Sequence, residues 1–154
     1  MKKTIYVKTI KNRNLIPNVQ RYLWVEAFSE YDVCGGLFSL LKQLDFTGVV
    51  VLSQSSWPFK SPYYYGDPWV LNQDGEWFAD CTIDKQILFR FMVNCVNEDI
   101  SLELKVICSQ TDFVKVNVND NGDWYMIGSF ELINDEYLSK CRDNMSDWVF
   151  KIRN

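Results

Sequence analysis

The chain contains no histidine. Catalytic triads of the Ser-His-Asp and Cys-His types use an imidazole to take up a proton near neutral pH, and histidine is the most common ligand of catalytic zinc. The sequence also lacks the G-x-S-x-G, G-x-x-x-x-G-K-[ST] and G-x-G-x-x-G motifs of hydrolases and nucleotide-binding proteins. These absences argue against enzymes of those classes, and we expect a binding protein rather than an enzyme.

Closely spaced cysteines are missing too. The five cysteines never form a C-x-x-C pair, so the sequence predicts reduced core residues rather than a disulfide framework or a zinc site. No apolar run approaches the roughly 18 residues that a membrane-spanning helix needs. The N-terminal residues alternate between apolar and polar side chains, which is typical of a strand and not of a signal peptide. We therefore expect a cytoplasmic protein with no metal, no cofactor and no membrane association.

Positive charge is scarce outside the N-terminal segment. Residues 1–21 carry six basic and no acidic side chains, whereas residues 22–154 carry 10 basic and 20 acidic ones, for a formal net charge of −4. An acidic surface repels nucleic acids and steers basic proteins toward itself. The sequence therefore predicts a basic protein partner and no nucleic acid. The lysines of the first strand either contact an anion or protect a sheet edge from pairing with other chains.

The length and the periodicity predict one α+β domain over residues 1–154. Helical spacing is found at 37–45, after a break at Gly35-Gly36, and at 135–144, behind Asn134 or Asp135 as the N-cap. We expect a meandering, mostly antiparallel sheet of about seven or eight strands with two helices. Strands are predicted at 4–10, 22–28, 49–52, 86–96 and 101–108, hairpins at 69–78 and 113–130, a long loop at 53–68, and a packed tail or short strand at 148–152.

Carboxylate chemistry is the enzymatic alternative that the sequence leaves open. Two acids can carry out glycoside hydrolysis, and Asp74 with Glu76 or Asp67 with Asp80 would be candidate pairs. A chain with 20 acids forms such pairs by chance, however. A solvated surface pair is the simpler explanation of each of them.

The triplet Glu103-Leu104-Lys105 matches half of a metal-nuclease pattern, in which carboxylates hold Mg²⁺ and the lysine polarises the attacked phosphate. Asp84 or Asp99 would supply the upstream acid. One such triplet is no more than chance predicts in a chain of this composition. Alternating charge on the solvent face of a strand is the simpler interpretation.

Aromatic residues are concentrated at 57–78, which contains eight of the chain's 24 aromatic side chains. Acids interleave with the rings, and tyrosine and tryptophan are common in recognition surfaces. Ordinary core packing, a protein-binding patch and a stacking surface for sugars all remain open. For the protein-binding patch, the predicted partner-binding residues are Trp57, Tyr63, Tyr64, Tyr65, Asp67, Trp69, Asp74, Glu76, Trp77 and Asp80. A second acidic concentration at 112–147 is either a solvated face or a docking surface for a basic protein.

In size, acidic charge, aromatic density and lack of a catalytic motif, the chain resembles the small immunity proteins with which bacteria neutralise secreted toxins, including contact-dependent inhibition toxins. The resemblance implies a cytoplasmic protein that binds a cognate toxin domain tightly and covers its active site or a neighbouring surface. It implies no particular fold and no functional residue. The expected function is toxin neutralisation by protein–protein association, with a carbohydrate-binding module or a carboxylate-dependent hydrolase as the alternative.

Overall fold

The computed structural model describes residues 2–14, 18–52, 69–97, 100–109, 112–118 and 124–153. These residues build one nine-stranded sheet and three helices. The strands are β1 (Thr4–Lys11), β2 (Val19–Glu26), β3 (Gly48–Val51), β4 (Trp69–Leu71), β5 (Trp77–Asp80), β6 (Leu102–Ile107), β7 (Phe113–Val118), β8 (Trp124–Ser129) and β9 (Val149–Arg153). The helices are α1 (Glu30–Lys42), α2 (Gln86–Asn97) and α3 (Asp135–Asn144). The loop predicted at 53–68 lies outside the described residues.

The strand order is β4-β5-β3-β6-β7-β8-β2-β1-β9. The pairing of β1 with β9 is parallel, and the other pairings are antiparallel. The α+β class is confirmed. The predicted count of seven or eight strands and two helices is wrong, because the described residues already contain nine strands and three helices.

The segment 86–96 accounts for the additional helix, since it forms α2 instead of the predicted strand. Asp84 accepts a hydrogen bond from the amide of Gln86 at 2.9 Å and caps the first turn. Eight of the eleven residues at 86–96 are apolar, and the polar ones are Gln86, Arg90 and Asn94. Their spacing of four residues fits a helix, and their even positions also fit the alternation of a strand. The side chains that are buried follow the helical period, and they are Ile87, Leu88, Phe91, Met92 and Cys95.

The first helix begins earlier than predicted and continues through the glycine pair. Ser29 is its N-cap and accepts a hydrogen bond from the amide of Asp32 at 3.1 Å. The predicted break at Gly35-Gly36 is wrong. Gly36 lies inside α1 where the Trp148 ring packs, and a Cβ atom there would lie 2.5 Å from two ring carbons. Gly36 therefore permits a close approach and does not end the helix.

Side chains alternate between two different faces of the sheet. The three helices pack on one of them, the covered face, and a single hydrophobic cluster fills the space between. Trp69 and Trp124 are among its largest fully buried side chains. The opposite side is here called the open face. From β9 to β6 its side chains are exposed or half-buried, apart from Thr4.

Arg21 fastens α3 to the sheet. It lies on the covered face of β2 and is only 9% exposed. Its Nε donates to the Thr9 hydroxyl at 2.9 Å and its Nη2 donates to the Asp135 carboxylate at 2.9 Å, while the guanidinium lies 4.5 Å from the centre of the Phe130 ring. A buried cation needs such partners to offset its lost hydration. One of the basic residues of the N-terminal segment is therefore structural.

The outer strands of the sheet are β4 and β9. The lysines of β1 do not protect an edge, because β1 lies between β2 and β9. The edge strand β9 itself carries Lys151 and Arg153, and charged side chains at an edge hinder pairing with other chains. None of the three described helices is long and apolar enough to cross a membrane.

Candidate functional site

The β4–β5 hairpin contains the described part of the aromatic stretch predicted for partner binding. Trp69 is 0% exposed and Trp77 is 9% exposed. The register places both on the covered face, where the Trp69 ring centre lies 4.7 Å from that of Phe91. This corrects the expectation that these two rings face a partner, because they pack in the core. Five further candidates lie outside the described residues, namely Trp57, Tyr63, Tyr64, Tyr65 and Asp67.

The three remaining candidates are acids at the two ends of β5. Asp74 and Glu76 belong to the hairpin turn, where the Asn72 side chain accepts hydrogen bonds from their amides at 3.0 and 2.8 Å. Asp80 ends the strand, and its carboxylate accepts hydrogen bonds from the Thr82 hydroxyl and amide, which lower the pKa of Asp80. The strand separates Asp80 from the other two acids. Asp74 and Glu76 thus share one turn, whereas the other candidate pair, Asp67 with Asp80, is not fully within the described residues.

Within the described residues, the fold brings no upstream acid to the nuclease-like triplet. Glu103 and Lys105 lie on the open face of β6, whereas Asp84 lies at the start of α2 and forms an ion pair with Arg90 at 3.2 Å. Asp99 lies outside the described residues. Over the described ranges, no group of three or more His, Cys, Asp or Glu side chains is placed to hold a metal ion.

The open face brings together four aromatic residues from three strands. In the sheet register, Tyr6 on β1 pairs with Trp24 on β2, and Trp24 pairs with Tyr125 on β8. Tyr22 lies two residues before Trp24 on the same face of β2. All four side chains are half-buried. We call Tyr6, Tyr22, Trp24 and Tyr125 the aromatic row.

The rings of the aromatic row stack on one another. The centres of Tyr6 and Trp24 are 5.0 Å apart and their planes meet at 17°. Two rings that lay side by side in one plane could not have their centres this close. The Tyr6 and Trp24 rings therefore stack with their faces toward each other. Tyr22 contacts Trp24 at 5.2 Å and Tyr125 at 4.7 Å in tilted arrangements. The Arg153 guanidinium lies 4.9 Å from the Tyr6 ring centre and ends the row.

Cationic side chains lie along one side of the aromatic row on the same face, and one of them, Lys151, pairs with Tyr6 at its end. They come from four strands, namely β1, β6, β7 and β9, and they are exposed except for the half-buried Lys105. We call these five residues the cationic rim: Lys8, Lys105, Lys115, Lys151 and Arg153. The open face therefore combines rigid aromatic side chains with positive charge.

No protein-family model, curated protein or solved structure matches this chain. The function must therefore be inferred from the geometry and the chemistry of its surfaces.

Sequence reasoning missed the aromatic row because three distant segments assemble it. Counting aromatic residues along the chain favours 57–78, where the rings are close in sequence. The alternation of inward and outward positions along each strand was a usable signal. The row occupies positions that alternate with buried residues, and rings at the outward positions of an amphipathic strand indicate an aromatic surface. The alternating buried residues are Ile5, Val7, Leu23, Val25, Trp124 and Met126.

A cleft of about 720 Å³ lies between the end of α1 and α3. Its rim includes the exposed acids Glu131, Glu136 and Asp143, which belong to the acidic concentration at 112–147. Lys140 spans the cleft and donates to the carbonyl of Gln43 at 3.4 Å. The cleft is wide and its charged groups are solvated, as expected for an acidic helical surface.

Proposed function

We propose that the protein binds another protein through the open face of its sheet, with the aromatic row at the centre of the interface. The aromatic row is the observation that carries this proposal. Tyrosine and tryptophan side chains provide large contact areas with few rotatable bonds, and they are enriched among the residues that dominate binding energy. Because these rings are already held against one another, they lose little further freedom when a partner docks.

The stacking within the row favours a protein partner over a sugar or a nucleobase. Sugars and bases bind aromatic residues by lying on a free ring face. Since β1 lies between β2 and β9, Trp24 and Arg153 approach the Tyr6 ring from opposite sides. The Tyr22 ring contacts both Trp24 and Tyr125. Ring edges remain for contact, and a shaped protein surface can pack against them.

The resemblance to toxin-immunity proteins gives the proposal a specific form. In that form the partner is a bacterial toxin domain, and the protein acts in the cytoplasm by covering the toxin's active site or an adjacent surface. Such neutralisation requires no catalytic group on this chain. The interface proposed here is the open face rather than the hairpin around Asp74 and Glu76, because the tryptophans of that hairpin are in the core.

The test is coexpression with toxin domains encoded beside the gene. Trp24→Ala with Tyr125→Ala removes half of the aromatic row, and Phe28→Ala with Tyr31→Ala is the matched control. Phe28 and Tyr31 are 87% and 63% exposed at the start of α1, away from the open face. We expect the wild type and the control to protect growth and the open-face variant to fail. Calorimetry should show at least about 10-fold weaker binding for the open-face variant.

Two results would contradict the proposal. Equal protection by the open-face and control variants would place the interface elsewhere. A wild-type protein that neither protects against nor binds any neighbouring toxin domain would remove the toxin form. Circular dichroism of both double variants checks that neither result reflects a loss of folding.

A further inference from the structure

Four members of the cationic rim lie in one line across the sheet. Arg153 on β9 is paired with Lys8 on β1, and Lys115 on β7 is paired with Lys105 on β6. Between these pairs, the register inserts one uncharged residue from β2 and one from β8. Because neighbouring strands lie about 4.8 Å apart, the line extends about 24 Å. This line passes through Tyr22 and lies beside Tyr6, Trp24 and Tyr125, the other members of the aromatic row.

Within the described residues, no acidic side chain lies in this line. Glu26 and Glu103 share the open face, but the register places each of them outside the line. Among the described residues, Lys8, Lys115 and Lys151 form no ion pair. The ion pairs found there belong to other cations, and they are Lys3–Asp32, Arg21–Asp135, Lys85–Asp45 and Arg90–Asp84.

Two rim cations are held in place by aromatic rings. The Arg153 guanidinium lies 4.9 Å from the Tyr6 ring centre, and the Lys105 ammonium lies 5.2 Å from that of Phe113. Cation–π contacts of this kind hold a charge at the surface without neutralising it. Two of the rim's positive charges are therefore held in place by rings, and Glu26 and Glu103 lie outside their line.

We infer that the partner of the open face presents an acidic protein surface, with carboxylates placed against the cationic rim. This inference rests on the proposed function. Like charges on neighbouring strands repel each other, and a docked surface of opposite charge removes that repulsion. The inference reverses the expectation of a basic partner, which followed from the net charge of −4. Charges beyond about 8 Å are screened at physiological ionic strength, so the charge of the docking face decides complementarity.

The test is an amide NMR titration of the isotopically labelled full chain with three separate probes: an oligoglutamate peptide, an oligolysine peptide and a single-stranded oligothymidylate. We expect oligoglutamate to shift amides of β1, β6, β7 and β9, the strands that carry the rim. Lys8→Glu with Lys115→Glu should weaken its binding at least about fivefold. The control, Lys42→Glu with Lys140→Glu, reverses two exposed lysines on α1 and α3 and should leave the affinity within about twofold.

The outcomes separate the inference from the proposed function. Shifts that are absent, or unchanged in the Lys8→Glu, Lys115→Glu variant, overturn the inference, as does oligolysine binding at the open face. Tighter binding of oligothymidylate at the aromatic row would assign the face to nucleic acid instead. If aromatic-row substitutions abolish toxin binding while the rim substitutions leave it unchanged, the proposed function stands and the acidic partner is rejected. If the aromatic-row substitutions have no effect, both fail together.

Discussion

On the covered face of the sheet, Trp69 and Trp124 are 0% and 2% exposed, whereas on the open face Trp24 is half-buried and stacks on Tyr6 at 5.0 Å. Each face draws its rings from several strands. The covered rings pack against helices, and the open rings pack mainly against one another and against Arg153. The same residue types thus stabilise the fold on one face and form a surface on the other.

The difference shows that the face of a strand decides the role of an aromatic residue. Aromatic density along the chain identifies neither role, because the β4–β5 hairpin is dense in rings and buries both of its tryptophans. On this view, substitutions on the covered face should change stability, and substitutions on the open face should mainly change binding.

The largest effect is expected for Trp69→Ala. Truncating a fully buried tryptophan leaves a cavity beside Phe91, and such substitutions cost about 3–5 kcal/mol. Trp69→Phe is the matched control. Within the described part of the chain, the buried indole N–H of Trp69 has no hydrogen-bond acceptor, so phenylalanine should cost only about 1–2 kcal/mol. Urea unfolding measures both, and equal losses for the two variants would show that cavity formation is not the cause.

Substitution by alanine should have smaller effects, of opposite sign, on the stability of the protein at the two glycines of α1. Gly36→Ala forces a Cβ atom against Trp148, at 2.5 Å from the ring, and should cost about 1–3 kcal/mol. At Gly35 an added Cβ would meet no atom within 4 Å. Gly35→Ala should therefore stabilise the helix by about 0.5–1 kcal/mol. Unfolding midpoints that move in the same direction would contradict the packing of Trp148 on α1.

Sequence reasoning predicted the parts of the fold that local chemistry determines. The hairpin predicted at 69–78 forms as β4 and β5, and its turn includes Gly75 with a positive φ of 76°, which glycine adopts readily. Asn134 was one of two candidates for the N-cap of α3, and its side chain accepts a hydrogen bond from the Tyr137 amide at 2.8 Å. Such features depend on neighbouring residues and are therefore readable from the chain.

The predictions that were wrong concern features that depend on contacts between distant parts of the chain. Tertiary packing selected helix over strand for α2, where both periods were present, and it required a glycine inside α1 at the contact with Trp148. The candidate site depends on strand order, which joins β1, β2 and β8. Their pairing is non-local, so no count of residues in a window could bring Tyr6 and Tyr125 into one row.

A double-mutant cycle tests whether the open rings support one another. Tyr22→Ala, Tyr125→Ala and the combined variant should show a coupling of about 0.5–1.5 kcal/mol in unfolding free energy. Their ring centres are 4.7 Å apart, and each single loss should remain well below that of Trp69→Ala. Tyr31 and Phe89, with ring centres 6.0 Å apart on the helical side, form the comparison pair. A coupling of zero between Tyr22 and Tyr125 would remove the stacking argument and favour sugar or base binding again.

The smallest effect is expected between pH 7 and pH 8. In this range, ionisation of the cysteine thiols should leave the free energy of unfolding unchanged. Burial raises the pKa of the Cys34 thiol from 9.0 to about 12, and burial is also the main cause that raises the pKa of Cys108 and Cys141 to about 11. In the unfolded chain these thiols ionise near pH 9, so the folded state binds more protons above that value. Their contribution to stability is complete below pH 9 and is lost as the pH rises toward 11–12. Urea midpoints under reducing conditions should be constant from pH 7 to 8 and fall above pH 9, and Cys108→Ala should make that fall less steep. If the midpoints do not fall above pH 9, or if Cys108→Ala leaves the fall unchanged, these thiols are not buried with the covered face.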